Sequence, residues 1–298
     1  VDSKAEIREF LSSRRAKITP EQAGITAYGE RRVPGLRRSE VAQLAGVSVE
    51  YYTRIERGNL AGVSDGVLES LTQALHLDDA ERAHLFDLAR AAGPVTSRRR
   101  PSAQQRVRPG VQRIIDSIGA PAYVRNGRRD ILAANVLGEG LYAPLYDDPF
   151  RPVNVARFVF LHARASEFFI DWPQITRDTV AALRSEAGRN PYDRGLSDLV
   201  GELSTRSEEF RTLWAAHDVR FHASGEKKMH HPVVGELELS FEAMELAADP
   251  GLTVVTYSAE PASRSAEGLA LLASWVATDK SEQAGAADEA HSTSQGEI

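Results

Sequence analysis

Val49, Glu50, Tyr51, Thr53 and Arg54 fall in one short run, VEYYTR, and between them carry the groups that can read the edge of a base pair. The Arg54 guanidinium can pair with guanine, the Glu50 carboxylate can accept from a cytosine amino group, and Val49 or Tyr51 can touch a thymine methyl. Spacing decides whether they act together. Wound as a helix, the run turns Tyr52 and Ile55 inward, with Ala42, Leu44 and Val47 of the preceding segment, and leaves the five on the outside. Arg37, Arg38 and Arg57 flank the unit where phosphates would pass. Ser39, Ser48 and Asn59, at the helix ends, complete the candidate DNA-binding set.

A pair of helices must hold these groups. From Ser39 the apolar positions Val41, Leu44, Ala45 and Val47 predict one helix, and Gly46 can take the positive φ that stops it. Ser48 can cap the next, which ends at Gly58. Three more helices are predicted around the pair. The first spans residues 3–15, with Ile7, Phe10 and Leu11 on one face. The fourth carries Val67, Leu68, Leu71, Leu75 and Leu77. The fifth opens on the capping box Asp78-x-x-Glu81 and stops at Gly93-Pro94. The long connection after the first helix has room for one turn at Thr19-Pro20-Glu21-Gln22.

Residues 1–95 thus read as a five-helix domain and 96–110, rich in Pro and Arg, as a linker. Residues 111–277 are expected to form a mixed α+β domain. Two short strands flank Asn126-Gly127, a type I′ hairpin signal. Helices run to about Asp218. Strands then return where Leu237, Leu239 and Phe241 alternate with polar residues, and again in LTVVTYSAE. A helix from Ser265 to Val276 closes the domain, and the polar residues 278–298 are expected to be disordered.

A chain of 298 residues suits about two domains. It holds no cysteine, which removes disulfides, thiolate-bound metals and cysteine nucleophiles. No apolar run is long enough to span a bilayer, and the first residues lack the apolar stretch of a signal peptide, so a cytoplasmic location without membrane contact is expected. The net charge of −6 is split by sign. Residues 1–108 hold 18 Lys and Arg against 14 Asp and Glu, and the remainder 18 against 28, so the first part suits a polyanion better than the second.

The run Glu-Val-Ala-x-Leu-Ala-Gly-Val-Ser followed by x-Arg-Ile-Glu-x-Gly resembles the DNA-binding domain of the XRE (lambda-repressor-like) helix-turn-helix regulators. The entry Arg31-Arg32-Val33-Pro34-Gly35-Leu36-Arg37-Arg38 with Tyr51-Tyr52 resembles the MmyB-like branch. The second half, from the strand pair near Ala122–Ala134 to residue 277, is similar to the PAS-like ligand-binding domain of that branch. The resemblance implies a lambda-repressor-like domain followed by a PAS-like α+β domain, a homodimer on operator DNA, and a small apolar ligand such as a fatty acid. Candidate ligand contacts are Tyr123, Phe168, Trp172, Trp214, Arg220, Phe221, Met244 and Tyr257. Lys227 and Lys228 are further candidates for a ligand carboxylate.

Other constellations read as structure. Gly62 to Gly66, GVSDG, matches a serine-hydrolase pattern, but no strand precedes it, and Ser64 is better placed to cap the fourth helix. His230 and His231 would face opposite sides of a strand, so with His217 and His222 they read as packed or surface side chains. No catalytic residue, metal or cofactor is expected. The rival readings are an enzyme that the helical domain localises, and a protein-interaction adaptor that never meets DNA.

Overall fold

The structure, a computed structural model, describes residues 3–25, 31, 33–93, 106–216 and 224–278. Its internal contacts divide the chain into two compact units, residues 1–103 with 177–221, and residues 104–176 with 222–298.

The first unit contains the five expected helices, α1 (Ser3–Lys17), α2 (Arg38–Leu44), α3 (Val49–Glu56), α4 (Asp65–Ala74) and α5 (Asp79–Ala92). They enclose Ile7, Phe10, Leu11, Val41, Tyr52, Ile55, Leu68, Leu71, Leu85 and Leu88, the apolar stripes that helical spacing marks. Asp78 and Glu81 cap α5 reciprocally, at 2.9 and 3.1 Å. Ser64 accepts the Val67 amide and caps α4. Thr19 and Gln22 also bond reciprocally, but around turns only. Leu44 departs from expectation and is 39% exposed. The inward stripe of α2 runs through Val41, Ala42 and Ala45, and at 3.6 residues per turn Leu44 lies roughly 100° from its centre.

The first unit also takes in residues 177–221, most of α11 (Trp172–Arg189) with α12 (Arg194–Arg206) and α13 (Glu208–Ala215). In sequence these helices lie beyond the linker, within the segment 111–277. Gly188 shows how closely α11 meets α5, since a Cβ there would fall 2.6 Å from the His84 ring.

The second unit is built on a five-stranded antiparallel sheet in the order β2-β1-β5-β4-β3, from β1 (Ala122–Asn126), β2 (Ile131–Ala134), β3 (Ser224–His231), β4 (Gly235–Glu245) and β5 (Leu252–Ser258). Side chains alternate across it, as the pleat requires. Tyr123, Val255 and Tyr257 join the larger core, with Leu237, Leu239 and Met229. Ala122, Val124, Leu252 and Val254 form a second core with α6 (Pro109–Asp116), a helix that the sequence reading does not foresee. The larger core also takes side chains from α7 (Val136–Leu141), α8 (Ala143–Tyr146), α9 (Val155–Leu161) and α10 (Ala165–Phe168), and from a helix at residues 264–278. This is the mixed α+β, PAS-like arrangement that the sequence predicts.

The β1–β2 hairpin is not the expected type I′ turn. Asn126 bonds to Asp130 across three loop residues, Arg129 donates back to Asn126 at 3.1 Å, and the positive φ, 70°, falls on Arg129 rather than Gly127. Three-residue loops place their left-handed residue last, and that shifts the strain from the glycine to the arginine. The linker is outside the described residues up to 105, and its last residues, Pro109 and Gly110, already belong to α6. The tail from 279 also lies outside them. Among the described residues no helix is long and apolar enough to cross a membrane.

Candidate functional site

Local chemistry fixes α3. At the end of α2, Gly46 takes φ 66°, its amide donates to Gln43, and the Val47 amide reaches back to Ala42 at 2.9 Å, a Schellman stop. The Ser48 hydroxyl then accepts the Tyr51 amide at 3.1 Å. At the far end Gly58 repeats the stop at φ 95°, bonding to Ile55, while Asn59 bonds to Arg54. Gly58 has a second constraint, because a Cβ there would lie 2.6 Å from the Lys4 carbonyl on α1. Ser48→Ala is expected to cost about 1 kcal/mol, read as a lower urea midpoint at unchanged slope.

Tyr52 and Ile55 are buried, so the opposite side of α3 is open. Val49, Glu50, Thr53, Arg54, Arg57 and Asn59 line a shallow depression there. All six are in the set marked by sequence. Arg37, Arg38, Ser39 and Ser48 are also exposed. Tyr51 takes another part. It is half-buried against the core, and the Arg54 guanidinium lies over its ring at 4.8 Å, so it serves as a platform that aims Arg54 outward.

Beneath this face lies a carboxylate that sequence reasoning passes over. Glu56, 1% exposed, accepts from Arg15 Nε at 2.6 Å, from Arg38 Nε, and from the Tyr52 hydroxyl at 3.4 Å. Arg38 therefore commits one donor to the fold while its head stays half-exposed. Burial, and then the Glu56 charge, push the Tyr52 phenol up and keep it a donor. Glu40 forms a lesser hub, accepting twice from Arg31 at 2.8 Å and from the Arg37 amide at 2.6 Å. The Arg31 hydrogen bonds draw its carboxyl down to about 2. Arg31 thus braces the entry to α2, and Arg32 lies outside the described residues.

In the second unit the structure brings together only some of the ligand candidates. Tyr123, Phe168 and Tyr257 share the larger core, and Trp172 packs at its edge with its indole N–H on the Val159 carbonyl at 3.1 Å. Met244 stands 48% exposed on the sheet, facing away from that core. Trp214 belongs to the first unit, stacked on Phe210 and under Arg184. Arg220 and Phe221 lie outside the described residues. Sequence reasoning misses Tyr142, whose hydroxyl is 2.5 Å from that of Tyr257, and Arg129. Lys227 Nζ sits 3.4 Å from both of these hydroxyls, and the Tyr123 hydroxyl is 3.5 Å from that of Tyr257. Lys228 instead pairs at the surface with Glu238, at 2.8 Å.

Among the described residues no group of three or more His, Asp or Glu side chains is placed to hold a metal. His231 is a packed side chain, with Nε2 on the Gly140 carbonyl at 3.0 Å and Nδ1 accepting the Val233 amide, while His230 is exposed. His217 and His222 lie outside the described residues.

Two family models match the chain, and the second takes in residues 177–221, which the internal contacts group with the first unit. The model described as a helix-turn-helix domain matches residues 11–85. The model described as an MmyB-like transcription regulator ligand binding domain matches residues 107–272, more than half of the chain. A search of curated proteins gave no match. With a helix-turn-helix domain in the first part and this domain over the second, the chain belongs to the MmyB-like helix-turn-helix transcription regulators.

Proposed function

We propose that the protein is a cytoplasmic repressor that binds operator DNA as a homodimer through α3 and releases it on binding a small apolar ligand, a fatty acid or a molecule like one. The observation that carries the DNA half is the depression on α3, where six side chains able to meet bases or phosphates stand together on a helix locked at both ends. Arg54 is the principal base reader, with Glu50, Val49 and Thr53 beside it and Tyr51 behind it. Arg37, Arg38, Ser39, Ser48, Arg57 and Asn59 meet the backbone. In a dimer the two helices would enter grooves about one helical turn apart. A ligand that favours a dimer geometry with the helices out of register must weaken DNA binding by that same preference.

The test is selection of genomic fragments by the full-length protein, with Arg54→Ala alongside. A palindromic site should be enriched by the wild type, and Arg54→Ala should bind it more weakly by about 1–3 kcal/mol, roughly 5- to 150-fold, with relaxed preference at one position of each half-site. Equal enrichment by both proteins would show that α3 is not the reader. Retention of no fragment would favour an adaptor.

A further inference from the structure

We propose that Glu50 is a specificity-determining residue of α3 that works by exclusion, its unpaired carboxylate being repelled at any base edge but that of cytosine, and that Tyr51 keeps it unpaired by holding Arg54. The inference rests on the reading of α3 as the base reader, and it adds which residue rejects wrong sites and what leaves it free to do so.

Glu50 is the one carboxylate among the six side chains that line the depression, where Arg54 and Arg57 supply positive charge. It stands exposed in the first turn of α3, four residues before Arg54, the order and spacing in which a glutamate and an arginine of one helix ordinarily pair. Here they do not. The Arg54 guanidinium lies over the Tyr51 ring instead, 4.8 Å from its centre, and Tyr51 is itself half-buried against the core. Among the described residues no donor or cation pairs with the Glu50 carboxylate. Both kinds of contact are weak at an exposed site, and a ring already fixed by packing asks less ordering than a free carboxylate would. Tyr51 thus leaves both readers unspent.

An unpaired carboxylate on a surface that meets a polyanion costs affinity at every site unless the DNA returns a donor to it. In the major groove guanine offers only acceptors, thymine an acceptor and a methyl group, and adenine an amino group with an acceptor beside it. Cytosine offers its amino group with no acceptor of its own alongside, and a glutamate can accept there. Side chains four apart on a helix stand about 5–6 Å from one another, so that cytosine falls within about two base pairs of the guanine that Arg54 reads. The arginines alone would hold any duplex by its phosphates. One negative group among them makes the wrong duplex repel, and discrimination comes from that repulsion as much as from the attraction of Arg54.

The experiment selects duplexes from a random library with full-length wild type, Glu50→Gln, Tyr51→Leu, the double variant Glu50→Gln/Tyr51→Leu and Arg54→Ala, and then compares affinities by fluorescence anisotropy at fixed salt. The wild-type motif should contain a cytosine near the guanine that Arg54→Ala loses, and replacing that cytosine should weaken wild-type binding about tenfold. Glu50→Gln should lose this penalty, prefer adenine at that position because an amide both donates and accepts, and bind an unrelated duplex about threefold more tightly. Tyr51→Leu should weaken binding to the motif, and the same change should cost less in the double variant, where the released guanidinium meets no carboxylate. A defect of folding would lower affinity for all duplexes alike and move no preference. A Glu50→Gln motif identical to that of the wild type, with Arg54→Ala altered, would overturn this inference and leave α3 as the reader, as would an unrelated duplex bound no more tightly by Glu50→Gln. An equal Tyr51→Leu loss in both backgrounds would overturn the part given to Tyr51. Motifs unchanged in every variant, or none from the wild type, would overturn both readings.

Discussion

Glu56→Ala is expected to destabilise the first unit by about 3–5 kcal/mol, because a buried carboxylate leaves and two arginines lose a shared partner. Arg15 is largely buried, so its guanidinium would face the core uncompensated. The Tyr52 hydroxyl, itself buried, would lose its acceptor. Glu56→Gln keeps the volume and one acceptor oxygen and should fall between the alanine variant and the wild type. Arg38→Ala should cost about 1 kcal/mol or less, since that side chain is half-exposed and solvent screens its side of the pair. Urea midpoints for the four proteins would order them. A Glu56→Ala midpoint equal to that of Arg38→Ala would show that Glu56 is not the brace.

What was legible in the sequence was what the chain decides locally. The limits of α3 follow from Gly46, Ser48 and Gly58, each acting on atoms within five residues of itself, and its outward face follows from helical period. The six side chains of the depression could be listed for that reason. Glu56 sits in the same run, Arg-Ile-Glu, but its partners are 18 and 41 residues away, and nothing in spacing marks a glutamate as the one that arginines will surround. Leu44 shows the limit of apolarity as a guide, because α2 has only seven residues and its stripe is set by small alanines. In the second unit the strands and their alternation were legible. Which aromatics converge was not, because Tyr123, Tyr142 and Tyr257 meet only through pairing of β1 with β5 and the return of α7 onto the sheet. The hairpin failed for a neighbouring reason. Asn-Gly is a strong local signal, and the three-residue loop that forms instead, beside a bulge after Val124, hands the left-handed position to Arg129.

The second large effect is expected at Arg184, which ties residues 177–221 to the helices behind α3. Arg184 is fully buried. Its Nη1 donates to Glu6 on α1 at 2.5 Å, Nη2 donates to the Trp214 carbonyl, and the guanidinium covers the Trp214 ring at 4.2 Å. Burial alone would raise the Glu6 carboxyl, yet contact with His84, at 3.8 Å, and the charge of Arg184 bring it down to about 2. Arg184→Ala should therefore cost about 3–5 kcal/mol at neutral pH, because it strands that carboxylate. The pH dependence separates this cause from lost packing. In the wild type the carboxylate's contribution is complete above about 4.5 and disappears as pH falls towards 2. Without Arg184 two of the effects that hold the carboxyl down are lost, so it moves up from about 2, and the mutant loses less stability than the wild type as that range is acidified. The stability gap between the two proteins should narrow as the pH falls from about 4.5 towards 2, and Glu6→Gln combined with Arg184→Met should recover much of the loss. A gap that stays constant across that range would assign the effect to packing on Trp214. Because α1 also abuts the end of α3 at Gly58, weaker DNA binding by Arg184→Ala should accompany the loss of stability if α3 is the reader, though Arg184 is not among the residues that line the depression on α3.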